Sequence, residues 1–498
     1  MNRREFIGLS SGAIAATSMA HAETLTGDGA RPNFLFMIAD DLMFRTIGAI
    51  NNPEVHTPNI DRLVHSGCHF THCFHQGSWT GAVCVASRTM LNTGLSTFRA
   101  HWNDSANQAF DKPMWGQTLR DAGYHTYIAG KWHLDAVSLQ RCFAEQGPVG
   151  PGYLASTDDM YNRPAPGNHW SPADKTKFGH WLHQNVVLNK RRDGIQHSSE
   201  LYADAAVDHL RQVSSRKEPF FMYIGFNAPH DPRQAPQEYL DMYPVEKIAV
   251  PPNFLPEHPF DQGEHKTRDE LLAPFPRTKF DVQTHRREYY AIITHMDAQI
   301  GRILNALEAS GKAANTYVIL TADHGLAVGE HGLMGKQNQY ECSMRMPLIV
   351  AGPGVKAGKR VDKMVYQHSM FATTCDLAGV AVPPHVDFPS LAPMLRQENA
   401  APVNDAMFGW LHDIQRSIRT KRHKLIFYPH LNRYQVFDLE KDPWEMRDLV
   451  DEPAYASVKS ELIATLKQKQ KELGDPMDID HVHVKVQKDA PASAYGRH

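Results

Sequence analysis

The chain has 498 residues, which favours one large domain with a smaller second one over a single domain of average size. Its hydrophobic content of 42% and charged content of 21% are typical of a soluble globular protein. The net charge of −3 gives no electrostatic basis for binding nucleic acid or an anionic membrane surface. We therefore expect neither kind of partner.

Residues 1–22 are predicted to be a signal peptide. Arg3 and Arg4 precede a modest apolar run from Ile7 to Met19, and Ala20-His21-Ala22 is typical of a cleavage site. The arginine pair resembles a twin-arginine signal, and the run is too short for a bilayer span, which needs about 20 apolar residues. We expect the twin-arginine export machinery to deliver the protein to a bacterial periplasm or beyond, without a membrane anchor.

Four predicted buried strands are each followed by charged or titratable residues. The strands are expected at 33–39, 125–129, 219–226 and 316–321, and the residues after them are Asp40 and Asp41, Lys131 and His133, His230, and Asp323 and His324. Open α/β sheets bind ligands beyond the carboxyl ends of their strands. Adjacent carboxylates such as Asp40 and Asp41 repel each other unless a cation lies between them.

Lys131 and His133 are two residues apart, so in an extended segment their side chains would point to the same side. A cation and a titratable base directed at one point suit anion binding with proton transfer. A solvated lysine and a core histidine are the alternative interpretation of the same spacing.

Cys84 and Arg88 follow a Gly-rich stretch at 77–81 and precede Gly94. If this segment is a helix closed by Gly94, Cys84 lies at its N-terminus and Arg88 one turn along the same face. The free N–H groups and the helix dipole would favour an anion there and lower the pKa of the thiol. The alternative is a buried cysteine beside a surface arginine.

The stretch Cys84-Val85-Ala86-Ser87-Arg88 resembles the Cys-x-Pro/Ala-x-Arg signature of type I sulfatases, which belong to the alkaline-phosphatase superfamily. Gly130-Lys131-Trp132-His133 is similar to their second signature, Gly-Lys-x-His. Ala86 stands where proline is commoner. With the strand-end residues, the resemblance extends from Asn33 to about Asp448, which is most of the chain.

The resemblance implies a formylglycine made from Cys84 by a formylglycine-generating enzyme, and a bound Ca²⁺, with Mg²⁺ as the alternative. It implies five metal-binding positions: Asp40, Asp41, Cys84, Asp323 and His324. Carboxylate oxygens suit such hard cations better than they suit zinc. His324 departs from the family pattern, since asparagine or glutamine is commoner there.

The resemblance also implies roles in catalysis for six residues: Cys84, Arg88, Lys131, His133, His230 and Lys336. Arg88 and Lys131 would orient the nucleophile derived from Cys84 and neutralise charge. His230 and Lys336 would hold the sulfate, and one of them would protonate the departing alcohol. His133 would remove a proton when sulfate is released.

We expect a sulfatase that acts on a sulfated saccharide or polysaccharide fragment. The alternatives are a phosphodiester or phosphonate monoester hydrolase of the same superfamily, and a hydrolase of a small ester such as choline sulfate. A non-catalytic glycan-binding protein that kept the fold is a fourth interpretation, which the intact set of site residues argues against.

The expected fold is α/β, a doubly wound mixed sheet flanked by helices (alkaline-phosphatase-like), followed by a small antiparallel sheet-plus-helix domain. The predicted limits are 30–395 for the catalytic domain, 400–475 for the C-terminal subdomain and 476–498 for a tail. Long loops that could face substrate are expected at 147–192, and an insertion over one sheet edge at 243–277.

Six cysteines include no CxxC pair, and a disulfide between Cys68 and Cys73 remains open. A long amphipathic helix is predicted from Glu288 to Gly311. A shorter one is predicted to begin at Pro58, capped by Thr57 and ended by Gly67.

Overall fold

The computed structural model describes residues 30–50, 52–105, 110–151, 160–165, 170–182, 194–263 and 268–484. The predicted signal peptide at 1–22 lies outside these ranges, as do part of the predicted loops at 147–192 and the last residues of the predicted tail. None of the helices in the described ranges is both long enough and apolar enough to cross a membrane.

The strands in chain order are β1 (Asn33–Ala39), β2 (Cys68–Phe74), β3 (Gly77–Ser78), β4 (His125–Lys131), β5 (Glu145–Gly150), β6 (Trp181–Leu182), β7 (Gln196–His197), β8 (Phe220–Gly225), β9 (Thr316–Ala322), β10 (Arg345–Ala351), β11 (Lys359–Tyr366), β12 (Ala406–Leu411), β13 (Gln415–Thr420), β14 (His423–Tyr428) and β15 (Arg433–Asp438).

The helices are α1 (Pro58–Ser66), α2 (Val83–Thr93), α3 (Thr97–Ser105), α4 (Trp115–Asp121), α5 (Ala136–Cys142), α6 (Ser198–Val213), α7 (Gln237–Asp241), α8 (Lys279–Ala309), α9 (Glu341–Met344), α10 (Met370–Leu377), α11 (Ala392–Arg396) and α12 (Ala456–Leu473).

The main sheet has eight strands in the order β11-β2-β10-β9-β1-β8-β4-β5. Its strands are parallel except β10, which is antiparallel to both of its neighbours. Every residue of β1 is buried, as a central strand covered on both faces requires. The predicted doubly wound mixed sheet is therefore confirmed.

Strand register brings the carboxyl ends of the central strands to one level. Ile38 of β1 lies opposite Gly225 of β8 and Thr321 of β9. Gly225 in turn lies opposite Gly130 of β4, whose φ is +93°. A Cβ on Gly130 would lie 1.9 Å from the Gly225 carbonyl oxygen, so only glycine permits this close approach. Residues that follow these strands consequently share one edge of the sheet.

Two helices differ in detail from their predictions. The long helix α8 starts at Lys279, nine residues before the predicted Glu288, because Thr278 and Asp281 form a capping box there. The first turns of α8 carry mostly polar residues, which is why the apolar pattern missed them. Thr57 precedes α1, but its hydroxyl accepts from the Gly48 amide and makes no capping hydrogen bond.

The second sheet has the order β15-β14-β13-β12-β3, with α12 packed on β13 and β14. The predicted small antiparallel sheet-plus-helix unit is thus present. The two-residue strand β3 joins β12 in parallel and ties this sheet to the segment that leads into α2. The start of the predicted tail packs here too, since Ile479 is buried. Just before it, Asp475 pairs with Arg416 at 2.6 Å. The domain limits themselves stay predictions.

The remaining loop and cysteine predictions have clear outcomes among the described residues. His180 and Trp181 are buried and pack the loop rather than facing solvent, and β5 forms inside the region predicted as loops. Cys68 and Cys73 lie at opposite ends of β2, about 16 Å apart for five strand residues, so they form no disulfide with each other.

Candidate functional site

The carboxyl edge of the main sheet gathers the predicted site residues. Asp40 and Asp41 follow β1, His230 follows β8, and Asp323 and His324 follow β9. Lys131 ends β4. Parallel strands deliver all of these to the same edge, and α2 lies against it with Cys84 in its first turn.

Helix α2 begins at Val83 and ends before Gly94, which adopts the left-handed conformation and donates its N–H to the Met90 carbonyl. Cys84 is 3% exposed. Arg88 is fully buried, not a surface residue, and its Nε lies 2.9 Å from Asp323 Oδ2. Its Nη1 donates to the Lys131 carbonyl at 2.9 Å, so one guanidinium ties α2 to the ends of β9 and β4.

The donor set at this edge fits a metal ion. One ligand atom from each of Asp40, Asp41, Asp323 and His324 lies within 4.8 Å of the others, and Cys84 forms a second such group with Asp40 and His324. Asp40 Oδ1 and His324 Nε2 are buried without a hydrogen-bond partner. Buried polar atoms are rarely left unpaired, so this pair of atoms suits a cation between them.

The tautomer of His324 supports a ligand role. Its Nδ1 lies 2.9 Å from the Gly325 carbonyl oxygen, which can only accept, so Nδ1 carries the hydrogen. In the neutral ring, Nε2 then presents a lone pair, and it faces Asp41 Oδ1 at 3.2 Å. A lone pair facing a carboxylate suits a cation between them, and the hydrogen bond from Nδ1 to a backbone carbonyl is one that metal-binding histidines usually make.

The three carboxylates are electrostatically unequal. Burial raises the pKa of Asp41 well above its ordinary value. The charge of Lys336 acts to lower this pKa, whereas the charges of Asp40 and Asp323 raise it further. Burial also acts to raise the pKa of Asp323, but neighbouring positive charge, which includes Arg88 and Lys131, outweighs it and the pKa is lowered. Three carboxylates in one buried cluster stay ionised together only with positive charge among them.

Two lysines supply part of that charge. Lys131 Nζ forms an ion pair with Asp40 Oδ2. Lys336 Nζ donates to Asp41 Oδ1 at 2.9 Å and lies 2.9 Å from His230 Nε2. His230 Nδ1 lies 2.8 Å from the Asp231 carbonyl, so Nδ1 carries the hydrogen and Nε2 accepts from Lys336.

His133 reaches the site by a different route from the one predicted. The chain leaves the extended conformation after Lys131, and His133 has a φ of +68°. The argument from extended spacing was therefore wrong. Burial, together with the charges of Lys131 and Arg88, nevertheless lowers the pKa of His133 to about 3, and its Nδ1 has no hydrogen-bond partner. His133 is a neutral base beside the cluster.

The segment 243–277 contributes residues that the sequence analysis did not single out. Asp269 is buried, and its Oδ2 lies 3.9 Å from Lys336 Nζ and accepts from Gln337 at 3.0 Å. Glu270 accepts the amides of Met334 and Gly335 and thereby fixes the turn before Lys336. This segment thus reaches the site rather than only covering a sheet edge, and its irregular composition gave no local signal of that.

Comparison with known proteins gives consistent results. A family model described as Sulfatase matches residues 32–380, and a model described as N-sulphoglucosamine sulphohydrolase, C-terminal, matches residues 329–472. The chain is 25% identical to N-acetylglucosamine-6-O-sulfatase of Bacteroides thetaiotaomicron, over 93% of this chain and 90% of that protein. It is 28% identical to an arylsulfatase of Clostridium perfringens, over 85% of this chain and 91% of that protein.

Solved structures share the fold. One, described in complex with its substrate D-glucosamine-2-N,6-O-disulfate, has a TM-score of 0.68 at 24% identity and covers 90% of this chain and 99% of its own. The phosphonate monoester hydrolase of Agrobacterium radiobacter has a TM-score of 0.70 at 22% identity, covering 89% of this chain and 96% of its own. At these identities the likeness concerns architecture alone.

Proposed function

The chain belongs to the sulfatase family of sulfuric ester hydrolases, and from that premise we propose that it removes sulfate from a sulfated saccharide. The observation that supports a saccharide substrate is the match to N-acetylglucosamine-6-O-sulfatase, which extends over nearly the whole of both chains. The cluster of buried carboxylates, lysines and histidines at the sheet edge supports the chemistry.

We propose that Asp40, Asp41, Asp323 and His324 hold Ca²⁺, with Mg²⁺ as the alternative, because three of the four donors are carboxylates. A divalent ion there supplies Lewis acidity toward the sulfate oxygens and the nucleophile. Arg88 keeps Asp323 ionised and oriented, since its Nε donates to Asp323 Oδ2 at 2.9 Å.

We also propose that Cys84 is converted to formylglycine, whose hydrate supplies the nucleophile. Residue 84 lies at the N-terminus of α2 and has the carboxylate–histidine cluster within ligand distance. Modification requires a formylglycine-generating enzyme as a partner. The twin-arginine-like residues at 1–22 favour export of the folded protein to a bacterial periplasm or the medium.

Proton transfer follows from the hydrogen-bond directions. Lys336 donates to His230 Nε2, so Lys336 carries the mobile proton and is the proposed acid for the departing alcohol. Burial, then Lys336, lowers the pKa of His230 well below its ordinary value, which keeps it a neutral acceptor that orients Lys336. His133, neutral above about pH 3, is the proposed base that takes a proton as sulfate is released.

The first test is the mass of the peptide containing Cys84, isolated from the native cell. We expect the thiol to be replaced by an aldehyde or its hydrate, and an unmodified thiol throughout would refute the proposed nucleophile.

Cys84→Ser should complete at most one turnover and retain sulfate on the enzyme. Sustained turnover by this variant would refute the mechanism.

The substrate is tested by paired esters. Sulfate and phosphate esters of one alcohol distinguish a sulfatase from a phosphodiesterase-like or phosphonate hydrolase activity. Sulfated monosaccharides compared with choline sulfate test the saccharide, and we expect the higher kcat/KM for a sugar. A preference for choline sulfate would contradict the proposal.

A further inference from the structure

A second cavity, of about 430 Å³, is lined by none of the residues assigned above to catalysis or metal binding. Its walls come from the loop after β1, from β2, β10, β11 and α8, and from Trp444. Its volume is in the range of pockets that enclose a small organic ligand. Four arginines line it: Arg45, Arg286, Arg345 and Arg360.

Three buried guanidinium nitrogens of this cavity have no hydrogen-bond partner. Arg286 is 6% exposed, and although its Nη2 donates to Tyr290 Oη at 2.6 Å, its Nε and Nη1 have no hydrogen-bond partner. Arg345 Nε is likewise buried and unpaired. Leaving donors of a buried cation unpaired is costly, so these nitrogens suit the oxygens of a bound anion.

The carboxylates of the cavity are already engaged. Glu330 pairs with Arg45 at 3.0 Å and accepts from Asn253 at 2.9 Å. Glu54 accepts from the Ala249 amide at 2.8 Å and from Tyr290 Oη at 3.3 Å. Arg345 also pairs with Glu341, outside the lining, at 3.6 Å. With burial holding His69 neutral, its pKa lowered to about 4, four arginines face three carboxylates and the cavity keeps an excess of positive charge.

The apolar part of the lining favours a ring over a bare ion. Arg45 Cζ lies 3.9 Å from the centre of the Trp444 ring and Arg345 Cζ lies 3.9 Å from the centre of the Phe44 ring, so an aromatic face positions each guanidinium. Pro53, Pro251 and Pro252 complete a compact, rigid wall. The proline rings, with Met43 and Ile50, place apolar surface beside unpaired guanidinium donors, and this combination matches a sugar ring that carries a carboxylate or a sulfate group.

We propose that this arginine cavity is a second, non-catalytic binding site for an anionic saccharide. It goes beyond the proposed hydrolysis, because the residues that bind here differ from those that would cleave. A sulfatase with such a site would hold an anionic sugar residue without cleaving it, either on a neighbouring part of a glycan or as a separate molecule.

The experiment is calorimetric binding of glucuronic acid, which has a carboxylate and no sulfate ester, to the full-length protein, with glucose and inorganic sulfate as matched probes. We expect glucuronic acid to bind more tightly than either. Arg286→Gln should weaken that binding at least about tenfold, because it removes a charge-assisted contact. Arg360→Gln, at the exposed rim, should weaken it less, and it serves as the second variant if Arg286→Gln fails to fold. Arg211→Gln, at an exposed position of α6, is the control and should change nothing.

Two readouts separate this proposal from the proposed function. Arg286→Gln should hydrolyse a small aryl sulfate at the wild-type rate, whereas Lys336→Ala should lose hydrolysis and keep the binding of glucuronic acid. The proposal is overturned if neither arginine variant weakens binding, if glucose binds equally well, or if Lys336→Ala abolishes binding. If inorganic sulfate binds as tightly as glucuronic acid, the proposal of a saccharide ligand is overturned and the cavity is a simple anion site.

Discussion

Two regions bury several charged side chains but pair them differently. One is the carboxyl edge of the main sheet that holds the proposed catalytic residues (the catalytic edge), and the other is the interface beneath the small sheet, around Glu341. At the interface, Glu341 Oε1 lies 3.3 Å from Lys424 and 3.4 Å from Arg419, and Glu445 Oε1 lies 2.9 Å from Lys424. At the catalytic edge, Asp40 Oδ1 has no partner and His324 Nε2 faces a carboxylate.

The difference separates buried charges that hold elements together from buried charges arranged for a ligand. Each interface carboxylate lies beside cationic side chains of the same chain, since Glu341 Oε2 is 3.6 Å from Arg345 and Glu445 Oε1 is 2.9 Å from Lys424. At the catalytic edge, Asp40 Oδ1 is unpaired and His324 Nε2 faces a carboxylate, and for this reason we propose that a cation binds there. Burial and unpaired acceptors occur in both regions, so the distinguishing feature is whether a cationic side chain lies beside the unpaired acceptor.

The largest expected effect is at Asp323. Asp323→Asn removes the carboxylate that pairs with Arg88 and accepts the Asp41 amide at 3.2 Å. We expect kcat for an aryl sulfate to fall at least about 10²-fold, because the variant disorganises a preorganised charged site. Bound calcium, measured by elemental analysis, should fall with it. Retained calcium and full activity would contradict the proposed metal site.

Glu341→Gln tests the other side of the comparison. It leaves Lys424 and Arg419 buried with less compensation, so the free energy of unfolding in urea should fall by about 3 kcal/mol. Activity per folded molecule should stay at the wild-type value because Glu341 is not among the residues at the catalytic edge. A selective loss of kcat with unchanged stability would break the distinction between the two regions.

His209 sharpens the comparison with a third buried polar group. It is 1% exposed and stacks on Tyr127 at 3.8 Å, and burial lowers its pKa to about 4. The folded state therefore resists protonation that the unfolded state accepts near pH 6.5, and stability is lost as the pH falls from 6.5 to 4, by about 3 kcal/mol for this group. His209→Gln should flatten that part of the stability–pH curve, whereas His481→Gln, at an exposed position, should not.

The smallest expected effect lies outside all of these regions. Thr278→Ala removes the side-chain acceptor for the Asp281 amide at the start of α8. The free energy of unfolding should fall by about 1 kcal/mol, with unchanged kcat. A loss as large as that of Glu341→Gln would mean that uncharged caps matter as much here as buried ion pairs.

Much of the fold and the strand-end cluster could be read from the sequence because local pattern and topology act together there. A buried apolar run predicts a central strand, and parallel strands bring their carboxyl ends to one edge. Asp40, His230 and Asp323 therefore converge although they are far apart in the chain. Helix α2 was predictable in the same way, since Gly94 marks its end and places Cys84 in the first turn.

The tertiary structure alone decided which side chains meet across irregular segments. Asp269 reaches Lys336 from a stretch without periodicity, and Arg286 and Arg345 meet in one cavity although they belong to a helix and a distant strand. The spacing of apolar residues in the sequence indicates which face of a helix or strand is buried. It does not indicate which polar side chain of another segment packs against that helix or strand. Contacts of that kind depend on the packing of the whole chain.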